Sequence, residues 1–195
     1  GGVTVEATIT VTKVIGLPVS THCDFTAPQP NLTDVVIIVE EKSLHVTKTY
    51  LAYHSPFFHS LFFSEFAEKA KTEIPLEDVK YDEFVELLHV IFPSRKPVTV
   101  ATVEGLLRLA DRFSMQFVLH SCEEFLRGPE SEEIPLAKKL LWSDQYRLAS
   151  LQSVCLHALK TLDDVKLLKA KKEYGDLTDK TKAALGERIH ELTMS

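Results

Sequence analysis

The sequence predicts an α+β fold: a small β-sheet flanked by a cluster of α-helices, followed by a further helical extension. Residues 35–39 form a continuous run of valine and isoleucine, typical of a strand buried on both faces. In three later segments, apolar residues recur three and four positions apart, which indicates amphipathic helices. A short sheet region followed by a run of helices is typical of the α+β class.

The composition supports a globular chain and excludes several kinds of partner. With 195 residues, 45% of them hydrophobic, the chain can bury a sizeable core. Its formal net charge is −6 and its bases form no stripe, so we expect no nucleic-acid partner. No apolar run approaches the roughly 20 residues of a membrane-spanning helix, and no secretory leader is evident, so we expect no membrane partner.

Three cysteines, widely spaced and odd in number, do not suggest a disulfide framework. Cys122 and Cys155 each lie on the apolar side of a helical pattern, where a thiol acts as a small hydrophobic group. Reduced core cysteines indicate that the chain works in the cytoplasm, the nucleus or both.

The N-terminal segment differs in pattern from the rest of the chain. Residues 3–12 alternate between apolar and polar side chains, as in a half-buried strand. A lone strand is unstable, so we expect its sheet to lie upstream, in a longer protein of which this chain is a piece. Residues 16–31 contain three prolines and are predicted to be a linker.

The main domain begins after this linker. The polar turn 40–42 and a short return strand through Leu44 and Val46 complete a hairpin with the 35–39 strand. Two short helices are predicted to meet at Ser55-Pro56, because proline interrupts a helix. A short strand is predicted over 73–76.

Longer helices occupy the next part of the chain. Apolar residues between Tyr81 and Phe92 have helical spacing, which recurs over 103–110 and 118–126, and Gly128-Pro129 closes the block. Beyond it we expect two or three further helices. One is marked by an apolar stripe of Leu148, Leu151, Cys155 and Leu159. A second is marked by a capping box between Thr161 and Asp164, and a third by Thr178 as a capping residue.

No pattern in the chain predicts catalysis, a cofactor or a metal site. The eight histidines include His54 and His59, but none forms the paired spacing that directs two ligands at one ion. Nucleophile motifs and phosphate-binding glycine loops are absent. Acidic pairs such as Glu123-Glu124 fall on predicted polar faces, so we expect a protein that is not an enzyme.

One stretch is unusually rich in large apolar residues. Six lie within ten positions, and five of them are phenylalanine: Phe57, Phe58, Leu61, Phe62, Phe63 and Phe66. A helix offers only about three or four core positions per two turns, so some of these rings are expected at a second surface. Phe62 and Phe63 are the candidates. The alternative, a short helix buried on most sides, remains open from the pattern alone.

Together these segments resemble the BTB/POZ domain over residues 32–127. The resemblance rests on an ordered set of motifs: Leu32-Thr33-Asp34-Val35, Leu44-x-Val46-x-Lys48, Ser55-Pro56-Phe57-Phe58, Phe84 to Phe92, and Leu107-x-Leu109-Ala110-Asp111-Arg112-Phe113. One departure is Thr47, which stands where that family usually has histidine. It puts local hydrogen bonding in question more than the fold.

The flanking segments extend the resemblance. Residues 1–15 look like the last strand of a MATH domain, the client-binding module of MATH–BTB (BATH) proteins. Residues 128–195 are similar to the BACK-like helical extension of those proteins, particularly over 140–146. The resemblance therefore implies a MATH remnant, a linker, a BTB/POZ domain and a BACK-like extension.

The resemblance also implies a function, a substrate-recruiting adaptor of a cullin-3 RING E3 ubiquitin ligase. Such an adaptor forms a homodimer and binds the cullin scaffold through a hydrophobic–x–Glu element, which matches Phe66 and Glu68 here. Phe113 occupies the place of a further aromatic that lines the same groove. The client protein cannot be deduced. The alternative is a BTB scaffold that only self-associates, in transcriptional control or channel assembly.

Overall fold

The computed structural model describes residues 23–64 and 72–194, and within them a three-stranded sheet. Strand β1 (Val35–Val39) lies between β2 (Lys42–Val46) and β3 (Glu73–Pro75). It pairs antiparallel with β2, placing Ile37 opposite Leu44, and parallel with β3. Alternate β1 residues are fully buried and the intervening ones partly so, which means that the second face is less covered than the sequence predicted.

A two-residue turn joins β1 to β2. Glu40 and Glu41 have φ values of 48° and 62°, the left-handed conformation that matches the twist of hairpin strands. The predicted turn was one residue too long, because Lys42 already pairs with Val39. The Glu40 carboxylate also accepts a hydrogen bond from the Tyr81 N–H, at 3.1 Å.

Five helices complete the main domain in the described part of the chain, and all were predicted. Their bounds are α1 Lys48–His54, α2 Pro56–Phe63, α3 Tyr81–Ile91, α4 Val103–Arg112 and α5 Gln116–Arg127. Each buries an apolar stripe against the sheet or its neighbours. The core therefore lies between the small sheet and the helices, as the α+β prediction required.

The extension contains more helices than the two or three predicted. After a 3₁₀ turn (Pro129–Ser131), the described residues form five: α6 Leu136–Gln145, α7 Ala149–Ala158, α8 Leu162–Lys169, α9 Lys172–Gly175 and α10 Asp179–Met194. The predicted signals marked α7, α8 and α10 but not α6 or α9. α9 spans four residues, too few to show a helical period.

The predicted helix signals in the extension are confirmed. Thr161 and Asp164 form a reciprocal capping box at the start of α8, with distances of 3.1 and 2.8 Å. The Thr178 hydroxyl accepts the Thr181 N–H at 3.4 Å. Cys155 lies in the buried stripe of α7, and burial raises the pKa of its thiol, like that of Cys122, to about 12.

The segment that leads into the main domain contacts it at two places. Phe25 is buried, with its ring 4.9 Å from that of Phe92, and its carbonyl accepts the His45 N–H at 2.7 Å. The end of the predicted linker thus packs on the domain. Thr47, at the unusual position, donates to the Leu32 carbonyl, so its hydroxyl maintains a local hydrogen bond there. The predicted strand over 3–12 lies outside the described residues.

Candidate protein-interaction surface

The junction between α1 and α2 positions the phenylalanine-rich helix. Ser55 caps α2 by accepting the Phe58 N–H at 3.1 Å, and Pro56 supplies a first residue already set for a helix. The buried Ser55 hydroxyl also donates to the Phe113 carbonyl at 2.5 Å. One side chain therefore fixes the start of α2 against the end of α4.

Half of the described phenylalanines of α2 face inward. Phe58 and Phe62, four positions apart, are both buried, and their rings stack at 5.7 Å. The Phe58 ring lies 4.9 Å from that of Phe113, which is fully buried and also contacts Phe84 at 5.9 Å. These four rings form an aromatic core beneath α2.

The other two phenylalanines of α2 face outward. Phe57 is 40% exposed and Phe63 is 46% exposed. The Phe57 ring rests on the buried cluster, 5.2 Å from Phe113. We refer to Phe57 and Phe63 as the α2 aromatic pair. They lie on either side of the buried face of α2, and we take them as its candidate contacts for another protein.

The structure separates the predicted site residues into three groups. Phe63 is available at the surface. Phe62 and Phe113 are core residues here, and the partly exposed Phe57 ring packs against Phe113. Phe66 and Glu68 lie outside the described residues, and their role stays a prediction.

A second aromatic group, which the sequence did not single out, consists of Tyr53, His54 and Phe117. Tyr53 is 86% exposed at the end of α1, and its ring meets that of His54 edge-on at 5.3 Å. His54 also lies 5.8 Å from the Phe117 ring, over which the Arg95 guanidinium sits at 5.2 Å. Burial, assisted by Arg95, lowers the pKa of His54, which favours its neutral form. Because Tyr53 and Phe117 fall outside the buried stripes of their helices, periodicity could have flagged both.

Two kinds of functional feature, a cluster of metal ligands and a membrane-spanning helix, are absent from the described residues. Across 23–64 and 72–194, no three His, Cys, Asp or Glu side chains are grouped so that they could hold an ion. Among the same residues, no helix is both long enough and apolar enough to cross a bilayer.

Fold and sequence together define the class of protein. The family model of the BTB/POZ domain matches residues 26–130, more than half of the chain, so the chain belongs to the BTB/POZ domain family. Within that family it is similar to proteins that also carry a MATH domain. BTB and MATH domain-containing protein 38 of Caenorhabditis elegans is 47% identical over 187 residues, 96% of this chain and 48% of that protein.

Two further relatives show where the similarity extends. BTB and MATH domain-containing protein 36 of Caenorhabditis elegans is 40% identical over 96% of this chain and 58% of its own length. Kelch-like protein 30 of Mus musculus is 32% identical, but over 50% of this chain and 17% of that protein. This chain thus spans about half the length of the worm proteins, and its likeness to them includes the helical extension.

Proposed function

We propose that this chain is part of a substrate-recruiting adaptor of a cullin-3 RING E3 ubiquitin ligase. The observation that carries the proposal is the α2 aromatic pair, exposed on the helix that leads directly into Phe66 and Glu68. An apolar anchor flanked by an oriented carboxylate suits a groove on a helical scaffold. The buried ring of Phe113 supports Phe57 from below.

The rest of the adaptor follows from the family. The domain self-associates, presenting two copies of the scaffold-binding surface related by a two-fold axis. Client binding belongs to a MATH sheet of which residues 1–15 would be the last strand. Within this chain those residues therefore bind no client, and the client remains to be found with the longer protein.

Titration calorimetry against the purified N-terminal domain of cullin-3 tests the proposal. Phe66→Ala should weaken binding by about 2 kcal/mol or more, the scale of a buried anchor. Glu68→Lys should weaken it too, because the opposite charge replaces an oriented carboxylate. Leu32→Ala is the control, since Leu32 is an exposed leucine away from α2 and should leave binding unchanged.

The outcomes distinguish a failure of the adaptor function from a failure of the assigned binding residues. If folded wild type does not bind cullin-3, the adaptor proposal fails and a scaffold that only self-associates takes its place. If wild type binds and both variants bind equally well, the adaptor stands but the assignment of Phe66 and Glu68 is wrong. Dimer mass should be the same in all four proteins.

A further inference from the structure

A groove of about 640 Å³ lies between α5 and the segment that follows α3. Its lining is mostly apolar and includes Val90, Val98, Val100, Phe117 and Phe125. Arg95 and Glu130 also line it, so the lining carries both a cation and an anion. The α2 aromatic pair is not part of this lining, and the groove is therefore a separate feature.

In the backbone beside the groove, Val98 makes no hydrogen bond with any of the described residues. Residues 95–99 belong to neither a helix nor a strand. The N–H groups of Arg95 and Lys96 bond to carbonyls at the end of α3, and the Thr99 N–H bonds to the Thr102 hydroxyl. In the described part of the chain, Val98 has no such bond. An extended peptide in the groove would supply a backbone partner for Val98 together with side chains for the apolar lining.

The charges of the groove give a preferred ligand. Lys96 is paired with Glu86 at 2.6 Å. Arg95 has no ion pair with any carboxylate among the described residues, and its guanidinium lies over the Phe117 ring, on the wall of the groove. An arginine held on an aromatic face beside an apolar groove is suited to a carboxylate on an incoming chain.

We propose that this groove binds an extended segment of a protein partner that carries an acidic residue beside alternating apolar residues. The acidic side chain pairs with Arg95, the apolar side chains contact Val98, Val100 and Phe117, and the backbone pairs with Val98. This interaction is independent of cullin binding and of the proposed function.

A random library of 12-residue linear peptides displayed on phage provides the probe, selected on the full chain. Selected peptides are then synthesised and titrated into four proteins: wild type, Arg95→Glu, Ser121→Trp and His120→Trp. Ser121 lines the groove, so tryptophan there blocks it. His120 is exposed on the same helix and does not line the groove, so it controls for the bulky residue.

The expected peptides share an acidic residue followed by alternating apolar positions. Arg95→Glu should weaken the binding of these peptides at least tenfold. Replacing the acidic residue of the peptide by lysine should restore binding to that variant. Ser121→Trp should abolish binding while His120→Trp leaves it unchanged. The proposal is overturned if no peptide is selected, or if the selected peptides bind Arg95→Glu and Ser121→Trp as tightly as wild type. It is also overturned if Ser121→Trp lowers the oligomer mass, since a second copy would then cover the groove.

Discussion

Ser55 serves two structural purposes with one hydroxyl group. It accepts the Phe58 N–H and donates to the Phe113 carbonyl, and it is fully buried. Ser55→Ala leaves both backbone groups without a partner, so we expect a loss of about 2–3 kcal/mol in the free energy of unfolding. Urea denaturation measures it. Ser60→Ala, exposed on the same helix, should change stability by less than about 0.5 kcal/mol, and an equally small loss for Ser55→Ala would contradict the assignment.

Asp144 ties α10 to α6 through hydrogen bonds that favour its ionised form. Burial acts to raise the pKa of this carboxyl, but hydrogen bonds from Thr178 and Thr181, with help from Lys182, outweigh it and lower the pKa below its ordinary value. A carboxyl with a lowered pKa stabilises the folded state above its unfolded pKa, and this contribution is lost as pH falls through the folded pKa.

We therefore expect Asp144→Asn to be less stable than wild type near pH 6, with the difference shrinking as the pH falls to about 3. Urea denaturation of both proteins across that range measures the difference. Asp163→Asn is a suitable control, because Asp163 forms an exposed pair with Lys166 that is worth little. A difference between Asp144→Asn and wild type that stays constant with pH would show that the charge of Asp144 is not what matters.

Helical periodicity explains which phenylalanines of α2 are core and which are surface. Phe58 and Phe62 are four positions apart and share the buried face, whereas Phe57 and Phe63 fall to either side of it. The excess of rings was visible in the sequence, and two of them, Phe57 and Phe63, lie outside the core; that they contact a partner stays a prediction. Phe62 was predicted at the surface together with Phe63, whereas its four-residue spacing from Phe58 places it in the core.

The β1–β2 hairpin carries a strained turn. Glu41 has a φ of 62°, which costs a residue with a side chain about 1–2 kcal/mol and costs glycine little. We expect Glu41→Gly to stabilise the domain by about 0.5–1 kcal/mol, after the entropy of glycine in the unfolded chain is deducted. Thermal unfolding provides the measurement.

Glu40→Gly is the matched control for this turn. Glu40 also has a positive φ, but its carboxylate accepts a hydrogen bond from the Tyr81 N–H at the start of α3. The gain in backbone freedom should therefore be offset by the lost hydrogen bond, leaving little or no net stabilisation. Equal stabilisation by both substitutions would mean that the Glu40 contact contributes nothing.

Elements with a clear period were predictable, and those fixed by tertiary contacts were not. The strands and the five helices of the main domain follow from apolar spacing. In the extension, Thr161 marked a helix start by its capping box, but α9 left no periodic signal. The packing of Phe25 onto Phe92 was also invisible, since a lone phenylalanine in a proline-rich segment does not reveal its partner.

At the scale of the whole molecule, we expect a homodimer built on the helices of the main domain. Light scattering at micromolar concentration should give twice 22.0 kDa, and a mass near 22.0 kDa would contradict it. Tyr53, 86% exposed on α1, is the candidate contact residue. Tyr53→Asp should shift the mass toward the monomer. Leu167→Asp, at a 66% exposed leucine of α8, should not.

The main domain and the extension share one hydrophobic core, which also includes the buried Trp142 of α6. The Glu123 carboxylate of α5 reinforces this boundary by accepting the Leu151 N–H of α7 at 2.9 Å. Trp142 is the single tryptophan of the chain, so its fluorescence reports on the extension, whereas circular dichroism reports on all helices. We expect both signals to follow one urea transition with the same midpoint, as in a single cooperative unit.

Glu123→Ala should move both transitions together and cost about 1 kcal/mol, the value of a helix cap. Glu124→Ala, which removes only an exposed pair with Arg127, should cost less than about 0.5 kcal/mol. An earlier fluorescence transition, or a shift of fluorescence alone, would show two separable units. In that event, residues 130–195 could be deleted to test whether they strengthen cullin binding. If the transitions coincide, the deletion would expose the core around Leu126 and Cys122, and only surface substitutions on α6 to α10 could measure that contribution.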